Sequence, residues 1–100
     1  MYHIIMYDIQ EDKMRLKLAK LLEQRGLIRI QMSVFIGQIE GKNLRMLELE
    51  IDKKVREHCQ IADKILILQI TQEQLEQARW IGDKHIAIDE LMGKVNELFF

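Results

Sequence analysis

The first candidate for chemistry is Asp8, an aspartate near the end of the first apolar segment. Carboxylate oxygens suit magnesium, which proteins often hold through one or two carboxylates together with water and substrate phosphates. One carboxylate per chain is too few for a tight site. Two of them facing each other across a dimer axis could share a metal above a phosphodiester. The alternative is that Asp8 only caps a turn, and the spacing alone favours that alternative.

A basic segment follows. Residues 13–29 hold six basic side chains, and Glu23 is the only acidic one. Lysine and arginine supply most phosphate contacts, which position a nucleic acid without reading its sequence. The alternative is a solvated helix face, which the pattern alone favours. The candidate nucleic-acid contacts are Lys13, Arg15, Lys17 and Lys20.

The other reactive side chains show no arrangement typical of a catalytic or metal site. Ser33 has neither a Gly-x-Ser-x-Gly context nor a clear His/Asp pairing, so we expect Ser33 and Phe35 to pack at a dimer seam. The three histidines are widely spaced without a metal-ligand pattern, so we expect structural or surface roles. Trp80 is expected to anchor an interface, where aromatic residues are enriched.

Composition limits the class of protein. A chain of 100 residues predicts one domain, and its 48% hydrophobic content is enough for a modest core. The net charge of −1 lacks the strongly basic balance typical of a nucleic-acid binder, so phosphate contacts would need a local patch. A single cysteine fits a reducing cytoplasm, and no apolar run reaches the roughly 20 residues that span a bilayer. We therefore expect a cytoplasmic protein with no membrane partner.

The elements that would position these residues follow a β-α-β-β-α-β order. Hydrophobic periodicity predicts strands at 2–9, within 27–39 and at 63–70, and helices at 12–25 and 43–57. This order predicts an α+β, ferredoxin-like fold with an antiparallel sheet. Asp12 and Asn43 are the expected caps at the helix starts, and Gly26 is expected just past the end of the first helix.

Both faces of the first and last strands are mainly apolar. Since a soluble monomer rarely exposes a large apolar face, we expect a homodimer. After the last strand, residues 71–76 suit a turn or short helix, 78–82 a fifth strand, and 86–100 an amphipathic helix. The predicted domain therefore covers 1–82, with a C-terminal extension at 83–100 that is expected to be helical.

Two sequence features resemble one known family. The first strand ends in Tyr7-Asp8-Ile9, and the chain later carries Gln31-Met32-Ser33-Val34-Phe35-Ile36-Gly37. Together they are similar to the small CRISPR-associated adaptation proteins, which have been described as CRISPR-associated endoribonucleases. The resemblance covers residues 1 to about 82.

The resemblance implies a homodimer packed sheet against sheet, in which residues 78–82 extend the partner's sheet. It implies a role in antiviral defence, where the dimer bridges two CRISPR integrase dimers and helps hold the duplex DNA of a new spacer. Some members are described as magnesium-dependent endonucleases acting on single-stranded RNA or duplex DNA, and this implies that Asp8 is the catalytic and metal-binding residue. The residues assigned to the motif or the dimer interface are Gln31, Ser33, Phe35 and Trp80.

Some positions depart from the family pattern, and other functions stay open. Met32 stands where the family often has an aromatic residue, Ile36 where a charged one is common, and the segment after about residue 83 is longer than usual. One alternative is a ferredoxin-fold toxin ribonuclease of the virulence-associated D type. Another is a small-molecule regulatory dimer, but the chain has no Gly-rich ligand loop. We expect the adaptation role, with scaffolding ahead of catalysis.

Overall fold

The strands and helices follow the β-α-β-β-α-β order, and a short third helix comes after them. The structure is a computed structural model that describes residues 1–58 and 62–82. This order confirms the predicted α+β ferredoxin-like arrangement. The strands are β1 Tyr2–Asp8, β2 Ile28–Gln31, β3 Val34–Gln38 and β4 Lys64–Ile70, and the helices are α1 Asp12–Gln24, α2 Gly41–His58 and α3 Gln72–Glu76.

The four strands form one antiparallel sheet in the order β2-β3-β1-β4. The central strand β1 places Ile5 opposite Phe35 of β3 and opposite Ile67 of β4. At the end of the same ladder, Asp8 lies opposite Lys64, the first residue of β4. Since side chains alternate along a strand, Tyr2, Ile4, Met6 and Asp8 share one face of β1.

The main core lies between one face of the sheet and the helices α1 and α2. Each of these elements contributes side chains with no solvent exposure, because its apolar positions recur at the spacing that turns them to one side. Those from β1, α1, β3 and α2 include Ile5, Leu18, Leu22, Phe35 and Leu47.

The ends of α1 are set by two different arrangements. Asp12 is the first helical residue, and Glu11 occupies the N-cap position. The predicted cap at Asp12 is therefore wrong. Asp12 instead forms an ion pair with Arg15. Gly26 has a φ of 87° and closes the helix, as predicted. Its N–H donates to the Glu23 carbonyl oxygen, while the next N–H, of Leu27, donates to that of Leu22, which makes a Schellman motif.

The start of α2 also differs from the prediction. The helix begins at Gly41, so Asn43 lies inside its first turn and is not the cap. At Gly37 two segments approach closely, because a Cβ built there would lie 3.0 Å from the Leu27 Cγ. Glycine at this position therefore lets the chain after α1 pack against β3.

The other face of the sheet is only half covered. A smaller cluster there joins Tyr2, Ile36 and Leu75, and α3 lies over it. The Thr71 Oγ1 accepts a hydrogen bond from the Gln74 N–H at 3.1 Å, and the Gln74 Oε1 accepts one from the Thr71 N–H at 2.9 Å, so a capping box starts α3. Of the predicted alternatives for residues 71–76, a turn or a short helix, the structure shows the helix.

Residues 78–82 do not form a strand in the single chain. The predicted fifth strand requires the sheet of a partner chain, so it stays a prediction. The predicted helix at 86–100 lies outside the described residues, and the division of the chain near residue 82 also stays a prediction.

We expect the wild type to lose stability at alkaline pH because of Tyr2, and Tyr2→Phe to lack that loss. Tyr2 is buried, its hydroxyl has no hydrogen-bond partner within the described ranges, and desolvation, with a smaller contribution from Glu76, raises the pKa of its phenol above 10.0. A folded pKa above the unfolded value gives stability that is present below about pH 10 and is lost as pH rises through the folded pKa. Urea unfolding of both proteins between pH 8 and about 11 checks this, and parallel declines would contradict it.

Candidate nucleic-acid interface

Asp8 is solvent-exposed at the carboxyl end of β1, on the sheet face opposite α1 and α2. It borders an open cavity of about 410 Å³ whose lining is mostly apolar. The cross-strand residue Lys64 borders the same cavity, so an acidic and a basic residue occupy paired positions at this end of the sheet. The other lining residues are Met6, Tyr7, Ile65 and Leu66.

The donor set around Asp8 fits magnesium only in part. Within residues 1–58 and 62–82, no group of three or more histidine, cysteine or acidic side chains is placed to hold a metal ion. Magnesium can be bound by one or two carboxylates when waters and substrate phosphates complete its octahedron. A single chain therefore offers one ligand at Asp8, and the others would come from solvent, a phosphate or a second chain.

The loop after β1 is held by Arg15. Its Nη1 donates to the carbonyl oxygens of Ile9 at 2.6 Å and Gln10 at 3.0 Å, while its other nitrogen pairs with Asp12. The Gln10 N–H donates to the Asp63 Oδ1 at 2.9 Å, which fastens the loop to the residue before β4. The guanidinium of Arg15 is thus occupied within the chain, and its predicted role at phosphates stays a prediction.

Three lysines of α1 present their charges to solvent. Lys13, Lys17 and Lys20 are all exposed, and their i, i+4, i+7 spacing puts them along one side of the helix. The other arginines of the basic segment are engaged elsewhere: Arg25 pairs with Glu50 of α2, and the Arg29 guanidinium carbon lies 5.1 Å from the centre of the Phe35 ring. The exposed positive charge of this segment is therefore concentrated in the lysines.

The motif residues serve the fold of one chain. Ser33 lies in the β2–β3 turn with a φ of 62°, and its carbonyl oxygen accepts a hydrogen bond from the Tyr7 N–H at 3.0 Å. Phe35 is fully buried and packs 6.2 Å from the Tyr7 ring, so the structure places it in the chain's own core and not at a seam between chains. Gln31 is exposed at the end of β2, and Trp80 is half-buried against the smaller apolar cluster.

Of the three histidines, only the side chain of His3 lies within the described residues, so the predicted structural or surface role is compared with the structure there. His3 is buried in β1, and its Nδ1 has no hydrogen-bond partner in the part of the chain that the structure describes. Its burial between paired strands agrees with a structural role. The side chain of His58, and all of Cys59 and His85, lie outside the described residues.

Sequence reasoning missed the residues that β4 and α2 bring to these sites. Strand pairing between distant segments places Lys64 opposite Asp8 and brings Asp63 to the loop after β1. Lys54 of α2 lines a groove with Lys17 and Lys20 of α1. The only signal that could have suggested Lys64 was its place at the start of a predicted strand, once the order of strands in the sheet was known.

The fold and this surface define a class of protein: a ferredoxin-like domain with a carboxylate at the end of its central strand and a lysine-bearing first helix. Comparison with known families narrows the class. The family described as CRISPR associated protein Cas2 matches residues 1–78, and the chain belongs to it. This confirms the resemblance seen in the two sequence motifs and favours CRISPR adaptation over the toxin and regulatory alternatives.

Similar proteins agree with this family. The chain is 33% identical over 96 residues to CRISPR-associated endoribonuclease Cas2 1 of Methanospirillum hungatei, covering 96% of this chain and 90% of that protein. It is 38% identical over 56 residues to a CRISPR-associated endonuclease Cas1/endonuclease Cas2 fusion of Thermoproteus tenax, covering 56% of this chain and 21% of the fusion.

A solved structure shares the fold. A chain of a partial Cas6-RT-Cas1–Cas2 complex superposes with a TM-score of 0.70 at 28% identity, covering 80% of this chain and 89% of that one. Separately, none of the helices in the described ranges is long and apolar enough to cross a bilayer.

We expect Arg15→Ala to lower the free energy of unfolding by about 1–2 kcal/mol, because it removes charge-assisted hydrogen bonds to two loop carbonyls in a partly exposed position. Lys13→Ala on the same helix should change it by less than about 0.5 kcal/mol. Urea unfolding at one fixed protein concentration checks both values. Equal effects of the two substitutions would show that the loop does not depend on Arg15.

Proposed function

We propose that this chain is a dimeric, DNA-binding subunit of the CRISPR spacer-acquisition machinery in the cytoplasm, where it bridges integrase dimers and holds the duplex of a new spacer. The observation that carries the proposal is the row of exposed lysines on α1, Lys13, Lys17 and Lys20. From residue 13 to residue 20 a helix rises about 10 Å. That length matches the rise of about three phosphates along one strand of B-DNA.

The proposed homodimer uses the half of the sheet that α3 leaves uncovered. Leu66 and Leu68 of β4 are 53% and 41% exposed, and Met6 beside them is half-buried. Burying such side chains is favourable by about 25 cal/mol for each Å² of apolar surface removed from water. Because Asp8 ends the same face of β1, pairing two copies there would bring the two Asp8 carboxylates toward one seam.

The proposed integrase partner rests on what the relatives contain. The Thermoproteus tenax protein joins Cas1 and Cas2 in one chain, and the similar solved chain comes from a complex that holds Cas1 and Cas2. These are properties of those proteins, and they support a Cas1-type integrase as the partner of this one.

A magnesium-dependent endonuclease is the second candidate, and the exposure of Asp8 beside an open cavity favours it. Bound Mg²⁺ would supply activation of a water molecule and neutralisation of charge on the phosphodiester. Asp8 would hold the metal, and a second Asp8 across the proposed seam would complete the carboxylate pair. Lys64 places a positive charge opposite Asp8, and like charges repel, which weakens cation binding. Scaffolding therefore stands ahead of catalysis.

Replacing Lys13 and Lys17 together by Gln should weaken binding to duplex DNA and lower the slope of log K against log salt by about 0.9 for each lost phosphate contact. The control is Lys42 and Lys53 replaced by Gln, two exposed lysines of α2 whose loss removes the same charge. Fluorescence anisotropy at several salt concentrations gives both slopes. If the two double variants bind alike, the lysine row is not the DNA-contact surface.

Asp8→Asn separates the two candidate functions. If the chain is an endonuclease, the wild type with Mg²⁺ cuts single-stranded RNA or duplex DNA, and both EDTA and the substitution abolish cutting. If it is a scaffold, neither protein cuts, while both bind duplex DNA with the same affinity in EDTA. We expect the scaffold result, and wild-type cleavage that depends on Asp8 would overturn it. Equal cleavage by both proteins would point to a contaminating nuclease and would leave Asp8 without a catalytic role.

A further inference from the structure

A groove between α1 and α2 gathers positive charge from both helices. Lys17 and Lys20 of α1 and Lys54 of α2 line it, and its volume is about 410 Å³. The remaining lining residues are Leu21, Gln24 and Glu50. The groove lies in the helix layer, whereas Asp8 stands on the opposite face of the sheet.

The one acidic residue of the groove does not cancel these charges. Glu50 is the only carboxylate among the lining residues, and it forms an ion pair with Arg25, which follows α1. Its negative charge is therefore balanced from outside the groove. Three ammonium groups remain to face an anion.

We infer that this groove binds phosphates of the nucleic acid backbone, with Lys54 as a contact that extends the α1 lysine row onto α2. The inference rests on the proposed function, because Lys17 and Lys20 belong both to the row and to the groove. A continuous run of lysines favours a polyanion that carries several phosphates in succession. Lysine suits such contacts because its ammonium is a compact point charge with three donors.

Lys54→Gln is the first test, and Lys53→Gln is its matched control, since Lys53 is the preceding residue of α2, is exposed and does not line the groove. We expect Lys54→Gln to lower the slope of log K against log salt by about 0.9. If the two proteins bind equally at 1 M salt, this makes the variant roughly eightfold weaker than wild type at 0.1 M salt. The loss should be the same on two duplexes of unrelated sequence. Lys53→Gln should stay within about twofold of wild type.

Glu50→Gln is a gain-of-function test that a folding defect cannot imitate. Removing this carboxylate frees Arg25 and should tighten duplex binding. The control is Glu48→Gln on the same helix, which removes an equal charge from a residue that pairs with Arg45 at 3.7 Å and does not line the groove. Tightening by Glu50→Gln that exceeds any change by Glu48→Gln supports the inference, and equal effects of the two oppose it.

The outcomes separate the inference from the proposed function. If wild type binds no duplex at any salt concentration, both fail. If wild type binds but Lys54→Gln and Lys53→Gln bind alike, the groove is not a phosphate site while the proposed function stands. In that case an acidic protein surface becomes the better occupant of the groove.

Discussion

The central strand β1 is the constraint on which the rest of the structure depends, because both of its edges are paired. It pairs with β3 on one side and β4 on the other, and a slip of one residue would turn every side chain to the opposite face. Ile5 and Tyr7 would then leave the helix-side core, and Asp8 would turn toward it. The pairing of β1 with both neighbours thus fixes the register that keeps the Asp8 carboxylate exposed.

The position of α1 follows from how β1 ends. Arg15 binds the backbone of the loop, and Gln10 is held by Asp63, so the helix leaves the sheet at a fixed place. Leu18 and Leu22 enter the core, and the lysines on the other side of the helix turn to solvent. Basic residues of this segment therefore divide into two groups. Arginines mostly bind the chain itself, while lysines keep their charges available to a partner.

The structure separates two surfaces that the linear sequence interleaves. The face opposite α1 and α2 carries Asp8 and the exposed leucines of β4, whereas the helix layer carries the lysine row and the groove it shares with α2. Because the lysine row and the strand-end carboxylate lie on different faces, a substitution can alter one without touching the other.

Local sequence determined much of this protein. The periodicity of apolar residues placed β1, α1 and β4 within a residue or so, Gly26 ended α1 because glycine adopts a positive φ at little cost, and two short motifs indicated the family. Local sequence also indicated the lysine row, because its members lie within two turns of one helix. The cap at Asp12 was wrong because several polar residues in succession could serve there, and geometry selected Glu11.

Only the tertiary structure decided which distant residues meet. Asp8 faces Lys64, and Arg25 pairs with Glu50. Lys54 lines the groove between α1 and α2 together with Lys17 and Lys20. In each case the residues that meet are far apart in the sequence. Phe35 lies in the core and not at a seam, since its pairing with Ile5 puts it on the helix-side face of the sheet. The physical reason is that periodicity fixes which side of an element a residue occupies, but the order of strands and the packing of helices fix what stands opposite.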